Sequence, residues 1–134
     1  ASFHETEARE KLKVTERFVC ELYGLKNCDS LNEARQLCFE RAYCPKKMDA
    51  PLVKQFTRFE PWLIPPTQDA LLQKIRRSMY ISMIWMNATC DPELPNPTMN
   101  GWELVESEFR PVWIEKDMAP KTLMDIVIPN ECDK

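Results

Sequence analysis

The sequence predicts a mainly α-helical domain: a bundle of about four to five helices with a Pro/Trp-rich C-terminal tail and a small β-hairpin. Three observations predict it. Apolar residues recur at three- and four-residue spacing over residues 5–41 and again over 67–89, the period of a helix face. Pro65-Pro66-Thr67 is a start signal in front of the longest of these runs. From Asp91 onward, Pro92, Pro95 and Pro97 exclude helix and the pattern turns strand-like.

Residues 5–23 read as the first helix, with Ala8, Leu12, Val19, Leu22 and Tyr23 at helical spacing and Glu and Lys between them. Gly24 stops it, because glycine tolerates the left-handed backbone of a helix C-terminus. Ser30-Leu31-Asn32-Glu33 has the form of a capping box, in which the Ser30 hydroxyl accepts from the Glu33 amide and Glu33 reaches back. The second helix then runs to about Arg41, burying Leu31, Ala34, Leu37 and Cys38, and Pro45 forbids much continuation. Asp49-Ala50-Pro51 opens a short helix over 51–58 that presents Leu52, Val53 and Phe56. Residues 59–64, with Trp62, form an irregular apolar connector.

Thr67 caps the longest helix, which ends near Thr89. Its first half is amphipathic: Leu71, Leu72 and Ile75 alternate with Gln73, Lys74, Arg76 and Arg77. Its second half, residues 79–86, is apolar nearly all round and is expected to be buried on every side, as the axis against which the tail folds. In the tail, Asn100-Gly101 is a turn, residues 102–105 and 109–114 are short strands, and Glu106-Ser107-Glu108 joins them. Pro111 demotes the second strand to an edge. A hairpin of two strands must pack on the helices to persist. Ala119-Pro120 opens a last short helix to about Ile126. The chain therefore reads as a single domain: residues 1–64 are N-terminal helices, 65–90 the central long helix, and 91–134 the tail packed on it.

A length of 134 residues suffices for a core without covalent staples. A hydrophobic share of 44% and a charged share of 29% fit a globular chain and argue against disorder. No apolar run approaches the roughly 18 residues of a membrane span, so no membrane partner is expected. A start at Ala1 reads as a processed chain or an excised piece. The net charge of −3 argues against a whole-molecule nucleic-acid footprint. Charge is unevenly placed: residues 67–90 carry net +2 and residues 91–134 net −6, and an acidic tail disfavours phosphate contacts.

Six cysteines pose the question of compartment: Cys20, Cys28, Cys38, Cys44, Cys90 and Cys132. None forms a C-x-x-C pair, and Cys20 and Cys38 lie in helical apolar patterns, where a free thiol behaves as a small hydrophobe. The balance favours a reduced, intracellular protein. A secreted, disulfide-bonded one is the alternative, toward which the sequon Asn87-Ala88-Thr89 leans. If a bridge forms, a pair such as Cys28 with Cys44 is favoured over a metal, because the Cys spacings do not group into a zinc site.

Catalytic devices are missing. The single histidine, His4, stands near the N-terminus, and two glycines in total leave no phosphate-cradling loop. No catalytic residue, metal or cofactor is expected. If the domain touches nucleic acid, the contacts fall to Arg58, Lys74, Arg76 and Arg77, whose ordinary reading is an exposed helix face. Trp62, Trp85, Trp102 and Trp113 form either an aromatic ligand cage or, more commonly, the packing of a Pro-rich tail.

An ordered set of motifs runs through most of the chain, roughly residues 18–121. It begins with Phe18-Val19-Cys20-Glu21-Leu22-Tyr23-Gly24 and Leu31-Asn32-Glu33-Ala34-Arg35, then Leu63-Ile64-Pro65-Pro66-Thr67 and Ala70-Leu71. It continues through Arg77-Ser78-Met79-Tyr80, Ile84-Trp85, Leu94-Pro95-Asn96-Pro97, Gly101-Trp102-Glu103-Leu104, Pro111-Val112-Trp113 and Ala119-Pro120-Lys121. This pattern resembles a large set of uncharacterised animal proteins, many linked to mobile elements. In them the segment follows a domain similar to flap-endonuclease-type (PIN-like) nucleases. The resemblance implies a C-terminal accessory region and not the nuclease, whose acidic metal-binding residues have no counterpart here. Family members often continue into a Cys-rich tail, whereas only Cys132 follows Lys121 in this chain.

The expected function is that of a non-enzymatic accessory or protein-interaction domain with a protein partner, in an intracellular, nuclear setting, from a mobile-element-derived nuclease-like protein. The alternative is a secreted, disulfide-stabilised helical ligand or binding module. The sequence says nothing of oligomeric state.

Overall fold

The structure is a computed structural model and describes residues 3–42, 60–91 and 93–116. The chain is mainly helical with one small antiparallel sheet. The described residues hold three α-helices, fewer than the four to five expected: α1 (Phe3–Leu22), α2 (Leu31–Ala42) and α3 (Gln68–Met86). The short helices expected over 51–58 and 119–126 lie outside the described residues. Two 3-10 turns, Pro61–Leu63 and Pro97–Met99, flank α3 in sequence, and the strands β1 (Trp102–Val105) and β2 (Glu108–Pro111) follow.

The buried stripe of α1 is Ala8, Leu12, Glu16 and Cys20, one residue in four along a single face. Three i,i+4 ion pairs, Glu5–Arg9, Glu7–Lys11 and Arg17–Glu21, line its solvent side and add a few tenths of a kcal/mol each. The helix closes in a Schellman arrangement. Leu25 N–H donates to Cys20 O at 3.0 Å, Gly24 N–H donates to Glu21 O at 2.9 Å, and Gly24 takes φ +78°.

The helix α2 starts where the capping-box signal stands, but by another route. Ala34 N–H donates to the Ser30 carbonyl, and the Leu31 N–H is met at 3.5 Å by the Glu16 carboxylate of α1. A tertiary carboxylate thus takes an end that a local hydroxyl was expected to satisfy.

For α3 the cap is as expected: Thr67 is extended at φ −67° and its Oγ1 accepts from Ala70 N–H at 3.2 Å. Its C-terminus comes at Met86, earlier than Thr89, because the Asn87 side-chain amide folds back onto Met83 O at 2.8 Å. The core is a cluster of Ala8, Leu12, Cys20, Leu25, Cys28, Leu31, Ala34, Cys38, Leu71, Leu72 and Ile75, filling the space between the three helices and the turn at 23–30. Pro65 is fully buried, and its carbonyl accepts from the Arg35 guanidinium, which ties the approach to α3 onto α2.

The tail packs on α3, but on its first half, reversing the expected polarity of that helix. The fully or nearly buried residues of α3 are Leu71, Leu72, Gln73, Ile75, Arg77 and Tyr80. Its second half is only partly covered: Tyr80 is buried, Met79, Ile81, Met83 and Ile84 are half-buried, and Trp85 is 74% and Met86 84% exposed. The reason lies in how the neighbours are tied. On α1, Glu16 meets Gln68 while Glu5 meets Arg76, so α1 crosses α3 antiparallel and its first turn lies beside mid-α3. The hairpin is clamped to the same stretch by Arg77. Roughly 15 Å of helix, at 1.5 Å per residue, continues past Arg76.

The hairpin is β1 and β2 in the register Trp102 opposite Pro111 through Val105 opposite Glu108. Its connection is the two residues Glu106 and Ser107, both at positive φ (49° and 71°). That is the backbone of a type I′ turn, whose twist matches the strands even though neither residue is the favoured Asn or Gly. β2 therefore begins one residue earlier than expected and stops at Pro111.

Candidate functional site

A groove of about 1120 Å³ lies between α1 and α3. Val14, Phe18 and Leu22 recur every four residues along the α1 wall, and Met79, Met83 and Met86 supply the α3 wall. These side chains are not covered: Val14 is 75%, Phe18 58% and Leu22 67% exposed. At 100° per residue they stand roughly opposite the buried stripe, so α1 is apolar on two opposed faces and only one meets the core. The rim carries Glu7, Glu10, Lys11 and Lys74, with Ser78 and Ser82 between. An apolar floor of flexible methionines under a mixed-charge rim suits an adaptable contact with another apolar surface.

The basic residues of α3 part company. Lys74 is exposed on the groove rim. Arg76 is claimed by carboxylates, with Nη2 to Glu5 Oε2 at 2.6 Å and Nη1 to Glu115 Oε1 at 2.9 Å, and so joins α1, α3 and the tail. Burial alone would raise the Glu5 carboxyl, but the hydrogen bond and charge of Arg76, helped by Arg9, outweigh it and hold the group below its ordinary value. Arg77 is buried. Its Nη1 donates to the Gly101 and Val112 carbonyls, and its guanidinium lies 5.2 Å from the Trp113 ring centroid. Burial lowers its pKa from the ordinary arginine value, yet a guanidinium stays charged. Arg58 lies outside the described residues. Of the four cations, then, Lys74 alone is described as free of a polar tertiary contact, and Arg76 and Arg77 act as the clasp between tail and helix.

No family model, curated protein or solved structure matches the chain.

Among the described residues no helix is long and apolar enough to cross a membrane, and no group of three or more His, Cys, Asp or Glu side chains is placed to hold a metal. Cys20, Cys28, Cys38 and Cys90 are free thiols, the first three buried and the last exposed. Cys44, the partner suggested for Cys28, lies outside the described residues. The Asn87 amide nitrogen, which a glycan would take, is the one that caps α3. The tryptophans do not build the expected packed tail: Trp62, Trp85 and Trp113 are each about 70% exposed, and Trp102 alone points its indole N–H inward, where it has no partner.

Three positions that organise the site escaped the sequence reading. Glu16 is only 6% exposed and accepts from Leu31 N–H and, at 3.0 Å, from Gln68 Nε2, so one carboxylate positions the starts of both α2 and α3. Its signal was present: Glu16 interrupts the spacing of Ala8, Leu12 and Cys20. Gln73 is fully buried beneath the tail. Gly101 lies so close to α3 that a Cβ there would stand 3.0 Å from both Arg77 Cγ and Gln73 O. In the sequence it is half of a turn signal, whereas its larger role is to let the backbone of the tail touch the helix.

Proposed function

We propose that this chain is a non-enzymatic accessory domain that binds a protein partner by taking an amphipathic helix of that partner into the groove between α1 and α3. The apolar line of Val14, Phe18 and Leu22 on the α1 wall, continued along the groove by Met79, Met83 and Met86 of α3, carries the reading. Each such side chain gains roughly 1.5–3 kcal/mol when fully buried. A third helix laid between two is the arrangement that fits a groove with i and i+4 anchors on its walls. The mixed rim of Glu10, Lys11 and Lys74 then selects partner charges and orientation. The resemblance to mobile-element-linked proteins gives the reading its setting, an intracellular and nuclear accessory segment of a nuclease-like protein. Nucleic acid is a weaker part of this proposal, because Arg76 and Arg77 would have to abandon carboxylate and carbonyl partners to reach phosphate.

Partner capture by the full chain should be abolished by Phe18→Asp or Met86→Asp and kept by Leu104→Asp, a control on the equally exposed face of β1, with circular dichroism unchanged in all three. Capture that survives both groove substitutions would rule the groove out. Filter binding settles the nucleic-acid clause, since salt-sensitive affinity that falls on Lys74→Ala is required for it.

A further inference from the structure

We propose that the groove is filled by a second copy of this chain, the free end of α3 from each copy lying on the α1 wall of the other in a two-fold symmetric dimer, an occupant that rests on the reading of the groove as a helix-binding site.

Two ties between α1 and α3 divide the groove into three parts. Glu16 accepts from Gln68 at one tie, and Glu5 meets Arg76 at the other. Beyond the first tie lie Phe18 and Leu22 of α1, where α3 has not yet begun. Beyond the second lie Met83 and Met86 of α3, which runs on past the first turn of α1. Each apolar end is thus a single helix without its companion beside it. Counted along the two helices from the Glu5–Arg76 tie at 1.5 Å per residue, Phe18 and Met83 stand roughly 30 Å apart. Between the ties the rim carries Glu7, Glu10, Lys11 and Lys74, two acids and two bases, and the lining holds no other charged residue.

That layout is self-complementary. A two-fold axis through the charged middle exchanges the two ends, so that Phe18 and Leu22 of one copy meet Met83 and Met86 of the other, and the same contact forms twice. The charges near the axis balance, whereas a middle of one sign would hold two copies apart. The ends bring no charge into the contact, and methionine adapts its shape to an aromatic or branched neighbour. Val14, Phe18, Leu22 and Met86 are all exposed. Covering them in both copies buries on the order of 1,000 Å², enough for a specific interface.

Sedimentation of the full chain over a range of concentrations should show a monomer–dimer equilibrium. A hydrophobic dye bound by the open groove should lose fluorescence per chain as concentration drives pairing. Phe18→Lys and Met86→Asp, both at exposed positions, should each sediment as monomers. Mixed together they should regain a dimer, because one contact then pairs Lys with Asp and the other is unchanged. Leu22→Lys replaces Phe18→Lys if circular dichroism shows the latter unfolded. A monomer at every concentration, a dimer that persists in either single variant, or a mixture that stays monomeric would each overturn the second copy as occupant. These outcomes leave the groove as a helix-binding site standing, which falls only if capture of a different protein survives Phe18→Asp and Met86→Asp.

Discussion

Gly101 and Gly24 both sit at positive φ, +81° and +78°, yet they do different work. Around Gly24 a Cβ would meet nothing within 4 Å, so Gly24→Ala carries only the backbone penalty, about 1 kcal/mol. At Gly101 the same methyl meets a backbone oxygen and the stem of a buried arginine at 3.0 Å. Gly101→Ala should therefore cost about 2 kcal/mol or more and loosen the tail, because neither neighbour can retreat without breaking α3 or the Arg77 bonds. Urea denaturation of the two variants measures the difference. Cys20 makes a second prediction at this scale. Its thiol titrates at about 11 in the folded chain against 9.0 as the ordinary value. Above pH 9 the unfolded chain releases this proton while the folded chain still holds it, so stability is intact below that pH and falls between 9 and 11. The loss is on the order of 2 kcal/mol. Alkaline urea titration should show it, and Cys20→Ala should flatten the profile in that window.

Between elements, the clasp of Arg76 and Arg77 holds the tail. Asp69 in the first turn of α3 accepts from Glu115 N–H at 2.6 Å and Lys116 N–H at 3.3 Å, Arg76 takes Glu115, and Arg77 takes the carbonyls of Gly101 and Val112. The hairpin has two strands, too few to stand without such support. Arg77→Met should cost about 2–3 kcal/mol and strip amide-exchange protection from residues 102–111 while leaving α1 and α2 protected. Protection lost equally across all three helices would contradict this division. The Arg76–Glu5 contact predicts acid sensitivity of the α1–α3 joint. Glu5 is held below 4.5 in the folded chain, so its contribution is present above that pH and is lost as pH falls through the lowered value. Glu5→Gln should remove that part of the acid transition, and acid titration followed by circular dichroism reads it.

At the scale of the whole molecule, one side of the bundle is closed by the tail and the other is an open apolar groove. The described chain thus keeps Phe18, Leu22 and Met86 in water, an arrangement that favours association. A hydrophobic dye should bind the full chain in its folded state, and Phe18→Asp with Met86→Asp should together remove most of that fluorescence. Undiminished dye binding would place the exposed apolar surface elsewhere, on the hairpin or around Trp62.

Local signals were legible wherever the causing atoms are neighbours in sequence. Thr67 caps α3 through an amide three residues on, and Gly24 ends α1 through its own backbone, whereas the hairpin was legible only as two short runs around Glu106 and Ser107. The three helices and the two strands were therefore determined by the sequence itself, to within a few residues at each end. What periodicity does not contain is which apolar face meets a partner. Residues 79–86 are apolar all round, and that pattern is the same for a buried axis and for a surface awaiting another chain. Tertiary structure decided it, by tying α1 and the tail to the first half of α3 through Glu16, Arg76, Arg77 and Gly101. It likewise turned two arginines with the look of an exposed basic face into a buried clasp. Their partners, Glu5, Glu115 and the carbonyls of Gly101 and Val112, lie 24 to 71 residues away in sequence, and only the folded chain brings those oxygens within reach.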